Sequence, residues 1–597
     1  MKKQQAFKFD NFKFTSQEID RLIVTSFVHN TNINVNGYLQ KLVIDNDDQL
    51  SSSAKELHCK GIEDAIHYFE IAVPKGESTT NGAVYTPKII RDRIVDKCFA
   101  DWSANNVSNP ADIKCADISC GCGAFLFTVI EKIQTLTNSS FKQACKQVYG
   151  VDINPDSVER TKILLSMAAA ERGEYLDEDD FNIFCMNSLT IDESFPKMDI
   201  VIGNPPYVRA KNIGDESKAL LRRWSVARNG NPDLYIPFFE ICLSCLKESG
   251  SMGLITPNTF LTSVNGRALR YFLSENHYSV TIENFRQEKV FEGKMVYTCI
   301  TYVDKLHIEG VKYVQVSLGN LTKTTEEDYS QMTYSSLDHK KGWFLSQGEI
   351  FHNIQKIEST GTSLGSLYSI KNGIATLAND VFIFKPTKED EQYYYVGSSK
   401  IEKSICRNII KPNKLKTEED IPILLEKAIF PYTKDMSLFE EEYFKATFPE
   451  TVKYLEQHME TLLSRDKGEC DYPWYAYGRT QAIEDKGIKL LFPYMAGEPH
   501  FVYTEDSDMM IYCGYAIYSD SSYDLLVLKK ILESKVFDYY IRNTSKPYSG
   551  GFYAYAKNYV KNFGVCELSV NEKDYLYHEH NRKSIDDFLC EKYGITI

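Results

Sequence analysis

The sequence predicts an α/β protein: a doubly wound, mostly parallel sheet followed by a second domain of mixed α+β texture. Three observations predict it. Short apolar strands alternate with amphipathic helices between residues 113 and 303. A glycine-bearing turn, DISCGCGAF at 117–125, joins the first strand to its helix. Past the polar, acidic stretch 323–342 the alternation stops and aromatic-rich segments take over.

Taken in order, residues 1–75 are polar, and SQEIDRLIVTSFVHN carries helical apolar spacing behind Ser16 as N-cap. No chemistry is visible there, so a helical extension packed on the next domain is expected. IKCADISC (113–120) is the first strand, and GAFLFTVIEKIQTL (123–136) puts Phe125, Leu126, Val129, Ile130 and Ile133 on one helical face. QVYGVDI (147–153) is the second strand, and Asn154-Pro155 supplies an N-cap and first turn for the next helix. Strands follow at 181–187 and 198–204. A helix at 235–249 stops at Gly250, and strands at 252–257, 278–285 and 297–303 complete the sheet. The expected division is a helical extension at 1–75, a catalytic domain at 76–322, a linker at 323–360 and a second domain at 361–597.

The totals exclude several classes. At 597 residues, 43% hydrophobic and 25% charged, the composition is that of a globular chain with several cores. No apolar run reaches the ~18 residues of a membrane span, and MKKQQAFKFDNFKF has no apolar stretch of a signal peptide. The 15 scattered cysteines then read as reduced thiols of a cytoplasmic protein. Cys115, Cys120 and Cys122 lack a second ligand pair at zinc spacing, so no metal is expected. A net charge of −14 argues against a uniformly basic surface but leaves room for a local basic face.

Sheets of this kind bind ligands at the C-terminal ends of their strands. Gly121 and Gly123 allow a tight turn there, equally readable as structural. Asp152, ending strand two, can accept both hydroxyls of a ribose, or be an exposed turn acid. Asn187 can hydrogen-bond an adenine edge or cap a helix. Asn204-Pro205-Pro206-Tyr207, leaving strand four, holds an amide oxygen and a proline carbonyl rigidly beside an aromatic face. A flat ring with an exocyclic NH2 fits that array, and an ordinary Asn-Pro turn is the structural alternative.

With the glycine turn and the strand-two acid ahead of it, NPPY resembles the amino-methyltransferases that use S-adenosylmethionine, and more closely the gamma-class, TaqI-like DNA adenine-N6 methyltransferases. The likeness covers about 80–565 and implies a Rossmann-like methyltransferase domain followed by a DNA-recognition domain. It implies cofactor contacts from Tyr85, Thr86 and Pro87 in GAVYTPKIIRDRIV (82–95), from Asp117, Ser119, Gly121 and Gly123, from Asp152 and Ile153, and from Asn187 and Ser188, where the family usually has an acid. It adds Asn204 again, and Asp233 and Tyr235 of NPDLY. Asn204, Pro205, Pro206 and Tyr207 are the catalytic residues it implies, with Phe291 of KVFEGK stacking the flipped base opposite Tyr207.

Charge supplies the nucleic-acid face. No acid lies between Tyr539 and Cys566, where Arg542, Lys546, Lys557 and Lys561 interleave with Tyr548, Phe552, Tyr553, Tyr555 and Tyr559. Residues 208–230 carry Arg209, Lys211, Lys218, Arg222, Arg223 and Arg228 against Asp215 and Glu216. A solvated basic face is the alternative. The expected protein is a monomeric DNA methylase acting on double-stranded DNA, alone or beside a separate restriction endonuclease. Cytosine-N4, RNA or protein-glutamine methylation, and a DNA-binding protein with a degenerate cofactor site, are the rival readings.

Overall fold

The computed structural model describes residues 14–44, 54, 56–72, 86–105, 109–228, 230–291, 296–307, 310–346, 348–548 and 550–597. The chain divides into two compact units, Met1–Gln347 and Gly348–Ile597.

The first unit is built on a nine-stranded sheet. Its strands are β1 (Cys115–Asp117), β2 (Val148–Asp152), β3 (Asn182–Cys185), β4 (Met198–Gly203), β5 (Leu246–Pro257), β6 (Tyr278–Asn284), β7 (Thr298–His307), β8 (Val311–Gln315) and β9 (Ser330–Met332), in the order β3-β2-β1-β4-β5-β7-β6-β8-β9. β3 through β5 in that order pair in parallel. β7 slots antiparallel between β5 and β6. The order reverses at β1, so the turns after β1 and β4 open onto a common crevice.

The helices are α1 (Ser16–Thr31), α2 (Ile62–Ile71), α3 (Lys88–Asn105), α4 (Ala124–Thr137), α5 (Pro155–Glu171), α6 (Asp215–Leu221), α7 (Tyr235–Cys245) and α8 (Arg267–Glu275). α4 buries the five apolar residues that its spacing predicts. α5 starts where Asn154 caps it, its side chain accepting the Asp156 N–H at 2.9 Å. Two boundaries differ from the sequence expectation. Thr15, not Ser16, caps α1, because a capping box closes between Thr15 and Glu18. α7 ends at Cys245 rather than at Gly250: Leu246 is extended and pairs with Met198, so Gly250 lies inside β5.

α1 and α2 are tied to α5 by Arg160, whose Nε donates to Asp20 at 2.8 Å and whose other nitrogens donate to Ser16 and to the Phe69 carbonyl. Both partners of the ion pair are buried. The 323–360 segment is not a free linker. β9 pairs with β8 inside the first unit, and Gly348–Ser359 is a helix of the second.

The second unit is mixed α+β. A four-stranded antiparallel sheet (369–372, 515–519, 488–492, 502–504) packs with the helices Ser522–Leu532 and Lys535–Thr544 around Phe492, Phe537 and Phe563. A second four-stranded sheet (383–384, 426–429, 406–410, 510–511) surrounds Phe382, Phe430 and Tyr477.

Candidate active site

A cavity of about 370 Å³ lies at the C-terminal ends of β1 to β4, within the range of small-molecule sites. After β1, the buried Asp117 accepts the Ser119 N–H at 2.9 Å. Burial pushes the Asp117 carboxyl up to about 7, against the pull of that N–H. Gly121 turns the chain at φ +55° and donates its N–H to Asp152 at 3.0 Å. Gly123, at φ +87°, lets α5 approach: a Cβ there would lie 2.9 Å from the Thr161 methyl.

Asp152 accepts from Gly121 on one oxygen and from the Asn154 N–H, at 2.9 Å, on the other. Burial raises its pKa, and the surrounding backbone N–H groups oppose the rise. Asn187 is a cap: its Oδ1 accepts the Leu189 N–H at 3.1 Å while its amide donates to Ser217 at 3.3 Å. It still lines the cavity. Ser188 is buried, its hydroxyl donating to the Ile118 carbonyl and tying β3's end to the β1 turn.

At the end of β4, Asn204 Nδ2 donates to Thr86 Oγ1 at 3.1 Å. Thr86 is itself held. Its carbonyl accepts Arg91 Nε at 3.2 Å. The fully buried Arg91 also donates to the Ala124 carbonyl (2.9 Å), to Thr128 Oγ1 (3.1 Å) and to both oxygens of Glu63 (2.6 and 2.8 Å). A bidentate, buried guanidinium of this kind is a rigid strut. The Asn204 amide is thereby given one orientation, Nδ2 toward Thr86. Pro206 lines the cavity, whereas Pro205 is buried. Tyr207 donates its hydroxyl to the Ile255 carbonyl at 3.0 Å. Its ring meets Phe291 edge to face, centroids 6.1 Å apart and planes at 68°. The two residues are together as expected, but their rings touch each other and offer no parallel slot between them.

Residues 146–291 match the model of the Eco57I restriction-modification methylases. Over that segment, about a quarter of its length, the chain is similar to the Eco57I-like restriction-modification methylases. RM.Eco57I of Escherichia coli, a Type II restriction enzyme and methyltransferase, is 25% identical over 81% of this chain and 56% of its own length. The chain therefore spans little more than half of that relative. The Type II methyltransferase M.BanIII of Aneurinibacillus aneurinilyticus is 24% identical, over 71% of this chain and 78% of its own. Among solved structures, the Type IIL restriction-modification enzyme MmeI in complex with DNA is 12% identical at a TM-score of 0.63, covering 99% of this chain and 90% of that one, a likeness of fold.

The segment matched to the Eco57I-like methylases contains Asp152, Asn187, Asn204 to Tyr207 and Phe291; Thr86 and the 117–125 turn come from outside it. Asp233 and Tyr235, expected at the cofactor, are turned to structural work. Asp233 accepts the Ala210 N–H at 3.0 Å, and Tyr235 is buried with its hydroxyl 3.1 Å from Thr259 Oγ1. Leu234 between them lines the cavity. Pro87 starts α3, its carbonyl accepting from Ile90 and Arg91. Tyr85 lies outside the described residues. Reading the sequence missed Phe69, Glu70, Cys122 and Phe238, all in the cavity wall. A lone acid or aromatic on a helix gives no signal, because the wall is made by tertiary packing.

Arg209, Lys211, Arg222 and Arg223 are exposed, and none is in an ion pair among the described residues. In the second unit Lys546, Lys557 and Lys561 are exposed. Arg542 is engaged internally, paired with Asp538 at 2.7 Å, donating to the Gly497 carbonyl and lying 5.1 Å over the Tyr553 ring. Tyr555 is buried in the core with Phe537 and cannot reach a nucleic acid. The Pro547–Tyr548 and Phe552–Ala554 hairpin instead exposes Phe552 beside the cations.

Proposed function

We propose that this Eco57I-like chain transfers a methyl group from S-adenosylmethionine to adenine N6 in double-stranded DNA, as the modification enzyme of a restriction-modification system or as a solitary methylase. The observation that carries the reading is the Asn204 amide, held by Thr86 in the wall of the cavity that Asp152 also lines. The residues present fit that cofactor: a carboxylate for a ribose diol, a glycine turn for close backbone approach, and a mixed apolar and polar wall. S-adenosylmethionine, when bound, supplies an electrophilic methyl group on its sulfonium.

The chain's own task is then to present the amine. Its lone pair is delocalised into the ring. Asn204 Oδ1 and the Pro205 carbonyl accept its two N–H groups, favour a pyramidal nitrogen and stabilise the positive charge that develops as it attacks. One proton of the resulting cation leaves to solvent. The target base is inside the duplex and must be flipped out, at a cost of a few kcal/mol. Tyr207 offers it a stacking face once Phe291 moves off the edge-to-face contact. Arg209, Lys211, Arg222 and Arg223 on the loop after β4 are proposed to hold phosphates beside that pocket.

Nucleoside mass spectrometry of DNA incubated with the protein and S-adenosylmethionine tests the reading. N6-methyladenine with wild type and none with Asn204→Ala, whose cofactor binding survives, is the expected result. N4-methylcytosine would overturn the substrate and keep the mechanism.

A further inference from the structure

The cavity contains a carboxylate that the reading above leaves unused. Glu70, at the end of α2, lines the wall beside Cys122 and the Gly121 turn. Asp117 and Asp152, the other acids of the wall, each accept backbone N–H groups. Glu63, about two α2 turns earlier, is clasped by Arg91. The Glu70 carboxylate accepts no hydrogen bond and joins no ion pair among the described residues. Arg91 is the nearby cation, but its donors are spent on Glu63, Thr86, Ala124 and Thr128. Burial holds the Glu70 carboxyl well above the usual carboxylate range. With no partner and its pKa raised, the Glu70 carboxyl is held toward its neutral form, and a cationic ligand group arriving in the cavity would restore its charge and pair with it.

Position selects the cation. Asp152 marks the ribose side of the cavity, at the end of β2. Glu70 reaches the same cavity from α2, beside Cys122 of the glycine turn, and is the lining carboxyl group left for the cofactor's amino-acid end once the ribose lies on Asp152. That end carries one primary ammonium. Asp117 is a poor rival for it, since it is 1% exposed and its Oδ1 is taken by Ser119. We propose that Glu70 receives the α-ammonium of the methionine moiety of the cofactor. This rests on the S-adenosylmethionine reading, and it makes the N-terminal helices part of the binding site.

Calorimetric titration of the full chain with S-adenosylhomocysteine, and with its analogue lacking the α-amino group, 4-(5′-adenosylthio)butyrate, tests the assignment. Wild type is expected to prefer the amino compound by about tenfold or more, the scale of one charge-assisted hydrogen bond. Glu70→Gln is expected to lose that preference while binding the deamino analogue as wild type does. Glu70→Asp, which keeps the charge, is expected to retain part of it. Equal weakening toward both ligands would show a structural role and overturn the proposal, as would undiminished discrimination in Glu70→Gln. Wild type binding neither compound would overturn the cofactor reading, and the Glu70 assignment with it.

Discussion

Thr86→Val isolates the orientation of the Asn204 amide from everything else in the cavity. The substitution keeps shape and volume and removes the hydroxyl oxygen that accepts from Asn204 Nδ2 at 3.1 Å. A side-chain hydrogen bond of this sort contributes about 1 kcal/mol net, and a half-buried donor left unmet costs about 1–3 kcal/mol. Together they weaken the preference for the productive amide orientation by about 2 kcal/mol. The flipped amide aims an NH2 at the target amine, so that loss appears in the transition state and lowers kcat by about thirtyfold. The Thr86 carbonyl that anchors Arg91 is untouched, so the Glu63–Arg91 strut and the fold remain. The assay is single-turnover methylation of a DNA substrate at saturating cofactor, with S-adenosylhomocysteine affinity measured in parallel. Thr86→Ser, which restores the hydroxyl, is expected to recover activity to within a few-fold. A Thr86→Val enzyme with the wild-type rate would refute the orientation argument.

Four further outcomes are expected. Gly123→Ala forces a side chain into φ +87° and 2.9 Å from Thr161, and should destabilise by about 2–3 kcal/mol in urea titrations. Gly121→Ala, at φ +55° with open space around it, should cost only about 1 kcal/mol, and equal losses would contradict the packing argument. Asp117 is raised from 3.8 to about 7 in the fold, so the folded state binds its proton more tightly than the unfolded one does. Its contribution is therefore present at acid pH and is lost as pH rises from about 4 to about 7, by at most about 4 kcal/mol. Asp117→Asn should accordingly gain on wild type across that window, and parallel stability profiles would count against the buried acid. Replacing Lys546, Lys557 and Lys561 together by glutamine should flatten the dependence of log affinity for DNA on log salt by up to about 2.7, roughly 0.9 for each phosphate contact; an unchanged slope would remove these lysines from the interface.

The alternation of strand and helix was legible because each element buries one face, and the period of that face is written in the residues. The sheet from β1 to β7 follows the spacing of its apolar runs, and the Asn154 cap and the Asp152 terminus follow from local chemistry. The end of α7 was not legible. Gly250 looks like a stop, but the helix ends where Leu246 finds Met198 as a strand partner, a contact across 48 positions. Tyr555 was misassigned for a related reason: interleaved cations and aromatics name a composition, not the side of the hairpin that each ring occupies. The cavity's strand-end residues were readable one by one, yet Asn187 shows that position alone leaves two uses open, and in the fold its Oδ1 serves the cap.

What escapes the sequence altogether is the dependence of the site on residues far upstream. Glu63 and Glu70 sit seven positions apart on one helix and look alike in composition. Arg91 separates them. One carboxylate is neutralised by a guanidinium that goes on to hold Thr86, and through Thr86 the Asn204 amide. The other is left facing the cavity because that same guanidinium has no donor to spare. The two roles are coupled by hydrogen-bond stoichiometry: an arginine satisfied by Glu63 both fixes the Asn204 amide and leaves an unpaired carboxyl group in the wall. Arg160 of α5, next to the Thr161 that packs on Gly123, anchors α1 through Asp20 and α2 through the Phe69 carbonyl. The N-terminal helices therefore act on the site twice, once by lending a charge and once by directing an amide, which is why their sequence, read as packing alone, carried no chemistry.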